Sequence, residues 1–221
     1  MASMLSELIA IKSGPACMEG MLELPADPVG LVLFAHGSGS SRLSPRNNYV
    51  AGELRKASMG TLLLDLLTPQ EDQTYQTRFN IDLLTERLNV AADWLRHRAS
   101  SAALPLGLFG ASTGAAAALQ LAALRRPDVT AVVSRGGRPD LAGQQALEKV
   151  LAPTLLIVGG FDDTVIELNQ AAYAVLQCEK RLDIIPGASH LFDEPGTLEA
   201  AAGLATQWFV QHFPKNARSA T

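Results

Sequence analysis

The feature that most constrains this chain is Gly110-Ala111-Ser112-Thr113-Gly114, a G-x-S-x-G segment set between two stretches of different character. Leu106 to Phe109 is a short apolar run with Pro105 before it and Gly110 after it, which predicts a buried strand. From Ser112 onward the chain is Ala-rich, carries Leu119 and Leu121, and has no Gly or Pro after Gly114, so a helix is predicted. A serine between a strand and a helix must sit on a tight, strained turn, and side chains at 110 and 114 are expected to collide with the neighbouring strand and helix. Such a turn lifts the hydroxyl above the sheet edge. It also aims the helix N-terminus at the hydroxyl, where free N–H groups can stabilise a developing oxyanion. Ser112 is the candidate nucleophile.

The 221 residues fit one α/β domain spanning 1–221, without room for a second of ordinary size. The 48% apolar share supplies a large core, and the 18% charged share argues against disorder. A net charge of −4 argues against nucleic acid or an anionic membrane as the main partner. Cys17 and Cys178 are far apart and in no metal-type spacing, so both are read as ordinary buried thiols. The N-terminus lacks a basic segment followed by a long apolar run. No stretch approaches the roughly 20 apolar residues of a membrane span. The expectation is a soluble, cytoplasmic protein, a monomer or homodimer, with a small-molecule substrate, no nucleic-acid or membrane partner, no cofactor and no metal.

Along the chain, strands and helices alternate. Residues 5–12 and 16–24 read as a hairpin turned by Ser13-Gly14-Pro15, and Asp27-Pro28 makes a turn. Strands are predicted at 30–35, 61–67, 129–134, 153–158 and 181–185, besides the one before Ser112. Helices are predicted at 47–58, at 78–98 with Leu83, Leu84, Leu88, Ala91, Ala92 and Leu95 at helical spacing, at 140–150, at 165–177 and at 194–213. Residues 68–77 read as a loop. The alternation implies right-handed crossovers and a doubly wound, mostly parallel sheet with helices on both faces. There is no repeat, low-complexity tract or linker, and the connection from 134 to 153 is too short for a lid domain.

Ligands of such sheets bind outside the C-terminal strand ends. Four polar segments fall there: His36 to Ser41, Ser112, Asp162-Asp163 and His190. A serine hydroxyl needs a base to take its proton during attack, and His190 can do this and return the proton to the leaving group. A carboxylate on the other imidazole nitrogen fixes the tautomer and stabilises the imidazolium. Asp162 and Asp163 compete for that role. Gly160-x-Asp162-x-x-Val165 favours Asp162, with Asp163 or Thr164 capping the next helix. His36 is expected to brace its loop by hydrogen bonding, leaving the backbone N–H near Ser38 as half of an oxyanion hole and the Thr113 N–H as the other half. His97 and His212 are expected to be solvated.

The order Ser, Asp, His, carried by His36-Gly37, Gly110-x-Ser112-x-Gly114, Gly160-x-Asp162 and Pro186-Gly187-Ala188-x-His190, resembles the α/β-hydrolase superfamily over nearly the whole chain. Within it the chain is similar to the small, lidless dienelactone-hydrolase-like group. True dienelactone hydrolases carry a cysteine nucleophile where this chain has Ser112. The resemblance therefore implies a serine esterase-type enzyme, acting through an acyl-enzyme on a small ester, lactone or thioester.

Two arginine pairs flank the expected pocket: Arg42 with Arg46, and Arg135 with Arg138. They can form a cationic rim for a substrate carboxylate or phosphate. They can equally cap helices or pair with carboxylates such as Asp140 or Glu53. The alternatives to a hydrolase are an acyltransferase using the same apparatus and a non-catalytic small-ligand-binding module on the same fold. A phosphate-cradling loop at 110–114 is excluded, because no Lys follows the second Gly and no G-x-G-x-x-G is present.

Overall fold

The computed structural model of the chain describes residues 4–214. Its strands are β1 (Leu5–Ser13), β2 (Ala16–Leu24), β3 (Gly30–Ala35), β4 (Met59–Leu64), β5 (Leu106–Ala111), β6 (Val129–Arg135), β7 (Thr154–Gly159) and β8 (Lys180–Ile185). Its α-helices are α1 (Pro45–Lys56), α2 (Tyr75–Arg78), α3 (Ile81–His97), α4 (Thr113–Leu124), α5 (Gln144–Leu147), α6 (Asp163–Val175) and α7 (Thr197–His212). The strands form one sheet in the order β1-β2-β4-β3-β5-β6-β7-β8. Pairings from β4 to β8 across the sheet are parallel, while β1–β2 and β2–β4 are antiparallel.

Burial follows from this topology. The central strands β3, β4, β5 and β7 are buried at every residue, because helices cover both faces. The hairpin β1–β2 alternates buried and exposed residues, leaving one face to solvent. Side chains of one strand divide between two cores with period two. Val32 and Phe34 pack with Leu54 of α1 and Phe209 of α7 on one face. Leu31 and Leu33 pack with Leu88 of α3 and Leu119 of α4 on the other. Between β3 and β5 the connections leave in opposite directions, which opens a crevice at their C-terminal ends.

Local signals start the helices that border this crevice. Ser44 caps α1 by accepting from Asn47 N–H at 3.3 Å, with Pro45 in the first turn. Asn80 caps α3 by accepting from Leu83 N–H at 3.1 Å. In α4 every residue except Gln120 and Leu124 is buried, and the run of alanines brings the helix close to the sheet. Its N-cap, Ser112, makes no capping bond with its side chain, which leaves the hydroxyl free for other use.

Several expectations are corrected. The helix predicted at 140–150 is a 3-10 turn at Pro139–Ala142 followed by the single turn α5. Gly143, at φ +82°, interrupts the two. The loop predicted at 68–77 contains a 3-10 turn at Glu71–Gln73 and runs into the one-turn α2. The strand predicted at 61–67 is β4, which starts two residues earlier and ends at Leu64, where the edge of β3 also ends. Cys17 is exposed, because it falls on the solvent side of the β2 alternation, and Cys178 is only half-buried. His97 is exposed as expected, but His212 is 9% exposed, with its ring 4.3 Å from that of Trp208. Among the described residues no helix is long and apolar enough to cross a membrane.

Two glycines make opposite predictions. A Cβ at Gly110 would lie 2.4 Å from Ala115 Cα, a backbone atom that cannot turn aside. Gly110→Ala is expected to destabilise the fold by about 1–3 kcal/mol or more in chemical denaturation. Gly203, inside α7, has nothing within 4 Å of its built Cβ and an ordinary helical φ. Gly203→Ala is expected to stabilise by about 0.5–1 kcal/mol.

Candidate functional site

Ser112 follows β5 directly and adopts φ +50°, ψ −122°, a conformation that costs an L-residue about 1–3 kcal/mol. Three close approaches hold it there. A Cβ at Gly114 would lie 2.2 Å from Ala35 O and 2.5 Å from His36 O, so α4 can meet β3 only at a glycine. A Cβ at Gly37 would lie 2.9 Å from Ser112 Cβ, so the loop after β3 passes directly against the serine. The loop after β6 completes the clamp: Ser112 N–H donates to Arg135 O at 3.3 Å, and Arg138 N–H donates to Ser112 O at 3.0 Å.

His190 stands on the loop after β8, beneath which Gly136, at φ +51°, leaves room for it: a Cβ there would lie 3.1 Å from His190 O. Its Nδ1 donates to Asp162 Oδ2 at 2.6 Å, so in the neutral ring Nε2 is the unprotonated nitrogen. Asp162 is the residue at the α6 cap position, but its side chain goes to His190 and caps nothing. Asp163, the first residue of the helix, is exposed. The structure thus brings Asp162, and not Asp163, to His190. The expected cap by Asp163 or Thr164 is not formed, since the helix begins at Asp163, two residues before the expected start at 165. Glu194 accepts from Ser189 N–H at 2.9 Å and steadies the turn that carries His190, a bond that holds its carboxyl below the usual range.

Ser112 and His190 line one cleft of about 260 Å³ with Gly37, Ser38, Asn47 and Arg135. Ser38 N–H and Thr113 N–H donate to no protein group among the described residues, and Thr113, as the first residue of α4, has no intrahelical acceptor. A larger cavity, about 830 Å³, lies between α4 and the 142–149 segment, remote from Ser112. Its charged members are Asp82, Glu148 and Lys149, and it contains no nucleophile–base pair. Among the described residues no three His, Cys, Asp or Glu side chains are grouped as metal ligands.

His36 braces its loop, as its place after β3 suggested. Leu66 N–H donates to its Nε2 at 3.0 Å, so the proton sits on Nδ1, which donates to Gly37 O at 2.9 Å. Burial is the largest influence and lowers its pKa, outweighing the Gly37 bond, so the ring is neutral near pH 7.

The four arginines separate. Arg42 points away from the cleft and pairs with Asp65 and, at 2.7 Å, with Glu19. Arg138 forms a two-bond pair with Asp140 at 2.9 and 2.8 Å, which raises its pKa. Neither lines the cleft, so for these two the cationic-rim expectation is corrected: a carboxylate close in sequence or space captures each. Arg46 and Arg135 do line it. The sequence reading missed Asn47, which lines the cleft, and Phe192, whose ring lies against Arg135. Asn47 is buried in the first turn of α1 and accepts from Arg135 Nη2 at 3.4 Å. Phe192 is a buried residue at φ +58°, with the Arg135 guanidinium 5.6 Å from its ring centroid. The Ser44-Pro45 helix start could have pointed to Asn47. No local pattern marks Phe192.

The strand order and the serine turn at the β3–β5 crevice define the α/β-hydrolase fold. Comparison with known proteins narrows this. The chain is 52% identical to the crystallised dienelactone hydrolase of Anabaena variabilis, with TM-score 0.92 over 96% of this chain and 99% of that one. It belongs to the dienelactone hydrolase family. Est1E of Butyrivibrio proteoclasticus shares the fold at 15% identity, with TM-score 0.81 over 94% and 99% of the two chains. A Mycobacterium tuberculosis protein, whose name assigns it provisionally to the phosphoribosyl transferases, is 55% identical over 207 residues, 94% of this chain. The chain spans about half, 46%, of that relative's length. No protein-family model matches the chain.

The His36 bonding predicts a pH effect of definite sign. Its folded-state pKa lies below the unfolded value of 6.5, so the neutral ring's contribution is fully present above pH 6.5 and is lost as pH falls toward the folded pKa. The melting temperature should fall below pH 6.5, less steeply in His36→Asn than in the parent. Nitrogen NMR should find His36 neutral and protonated on Nδ1 at pH 7. A His36 titrating at or above 6.5 would contradict this bonding.

Proposed function

We propose that the chain is a serine hydrolase that cleaves a small ester, lactone or thioester through an acyl-enzyme on Ser112. The observation that carries this reading is the 2.6 Å His190–Asp162 bond at the rim of a cleft shared with a serine held at φ +50°. Membership of the dienelactone hydrolase family supports the hydrolytic class.

The chemistry follows from the bonding. His190 Nε2 accepts the Ser112 hydroxyl proton as Oγ bonds to the substrate carbonyl carbon, and the carbonyl π pair moves onto oxygen. The Ser38 and Thr113 N–H groups donate to that oxyanion. Collapse of the tetrahedral species breaks the bond to the leaving group, which takes the proton from His190. Water then attacks the acyl-enzyme with His190 again as base, releasing the acid and restoring Ser112. Asp162 holds Nδ1–H throughout and stabilises the imidazolium without taking the proton.

The name borne by the Mycobacterium relative supports a second reading, phosphoribosyl transfer. A serine in the same cleft as a histidine–aspartate pair suits acyl chemistry, so the residues of this chain favour the hydrolytic reading. Transfer of the acyl group to an acceptor other than water remains within reach of the same residues, and partition of the acyl-enzyme between water and added alcohols or amines measures it.

A fluorophosphonate probe should label Ser112, identified by peptide mapping, and Ser112→Ala should lose labelling and at least a thousandfold of kcat for a p-nitrophenyl ester, on the order of other such sites. His190→Ala should lose about as much, and the double variant little more, because the residues act as a unit. Asp162→Asn should slow the enzyme far more than Asp163→Asn. Full activity of Ser112→Ala with unchanged circular dichroism would refute the nucleophile, whereas a parent that neither labels nor turns over esters would favour a binding module.

A further inference from the structure

Asn169 is a polar side chain with 0% exposure, on α6, the helix that begins beside Asp162. Its Nδ2 donates to Gly137 O at 2.9 Å and to Val165 O, one turn back in its own helix, at 2.8 Å. Its Oδ1 is buried without a partner. Among the described residues no other group donates to Gly137 O. An unpaired buried oxygen is unfavourable, so packing alone does not explain an amide at this position. What the amide adds is a directional bond between α6 and the loop after β6.

That loop, residues 135–138, holds the serine by both sides of its main chain: Ser112 N–H donates to Arg135 O, and Arg138 N–H donates to Ser112 O. It abuts the histidine too, since a Cβ at Gly136 would lie 3.1 Å from His190 O and 3.6 Å from His190 Cε1. Gly137 presses on α4, where its Cβ would lie 2.6 Å from Ala115 Cβ. The main-chain bonds from β6 to β7 end one residue earlier, where Gly136 N–H donates to Ile157 O at 2.7 Å. No strand partner therefore fixes Gly137. The loop lies between the helix that starts at the serine and the helix that starts at the aspartate, and the Asn169 amide ties it to the second.

We propose that Asn169 is a positioning residue of the reaction: its bond to Gly137 O holds the 136–138 loop at the depth that aims Ser112 Oγ at His190. This rests on the serine-hydrolase reading and adds to it a residue that touches neither the substrate nor the reacting atoms. Without the bond, the loop and the Ser112 main chain shift together, while His190 and Asp162 keep the bond between them. Such a shift slows attack by Ser112 and leaves binding little changed, and a misplacement of about 1 Å can cost on the order of a hundredfold in rate.

Two variants separate the two bonds of the amide. Asn169→Leu removes both and retains the bulk of the side chain. Asn169→Ser can renew the bond to Val165 O through its hydroxyl, but is too short to reach Gly137 O. In each, kcat for a p-nitrophenyl ester and the limiting rate of fluorophosphonate labelling should fall by about ten- to a hundredfold. The half-saturating probe concentration should stay close to the parent's, and so should the low-field proton resonance of His190 Nδ1–H, which reports the bond to Asp162. Leu88→Ala, a buried change in the core on the α3 side, is the control: it should lower the melting temperature and leave both rates at parent values. Should Asn169→Leu not fold, Asn169→Ser decides. Parent rates in the folded variant, an equal loss of rate in Leu88→Ala, or loss of the His190 resonance in step with the rate would overturn the assignment. A parent that labels and turns over the ester, beside asparagine variants that do so equally well, overturns this inference alone. A parent that does neither overturns the hydrolase reading, and this inference with it.

Discussion

The site depends on how closely backbone segments approach one another at Ser112. The end of β3, the loop after it, the start of α4 and the loop after β6 meet there at distances that leave no room for Cβ atoms at Gly37, Gly110 or Gly114. Gly137 belongs to the same contact: its Cβ would fall 1.9 Å from Ser134 Oγ and 2.6 Å from Ala115 Cβ. The strained serine conformation persists because the surrounding hydrogen bonds and packing over-determine it. A relaxed turn would lower local energy, but it would move α4 off the sheet and break the bonds that Ser112 makes to Arg135 and Arg138 through the main chain.

Around that contact the polar groups divide into those that are satisfied and those that are not. His36 uses both ring nitrogens on backbone partners and is kept neutral by burial, so it serves the loop. His190 uses one ring nitrogen on Asp162 and keeps the other, in a half-exposed position at the rim of the cleft. Two histidines with the same intrinsic chemistry acquire different roles from their surroundings. Arg138 and Arg135 form a parallel contrast, one closed by Asp140 and the other left with buried N–H groups unpaired.

The family relationship and the half-length match to the Mycobacterium protein concern different levels of organisation. Close identity over the full length of the Anabaena dienelactone hydrolase establishes the family and the fold of this chain. The 46% share of the Mycobacterium protein means that its name describes a protein with as much chain again beyond the shared region. The shared region itself holds Ser112 and the bonded pair His190–Asp162 at the C-terminal ends of β5, β7 and β8.

Much of this was legible in the sequence because it is local. Apolar runs bounded by Gly and Pro marked the central strands, since a strand covered on both faces must be apolar throughout. The G-x-S-x-G turn marked the serine, since only glycine permits the close approaches around it. The hairpin alternation was readable but its outward side was misjudged at Cys17, because either face of a two-residue period can be the wet one. Gly143 hid the break in the 140–150 segment, as helical composition on both sides masked a residue that takes positive φ. What local pattern could not supply was partnership across the sheet. Asp162 was preferred to Asp163 by spacing, but the packing of the β7 and β8 loops settled which carboxylate reaches His190. Arg42, Arg46, Arg135 and Arg138 look alike in sequence. The fold gave carboxylate partners to three and buried the fourth beside Ser112, because the environment of a long charged side chain is set by residues distant in the chain, as Asn47 and Phe192 are from Arg135.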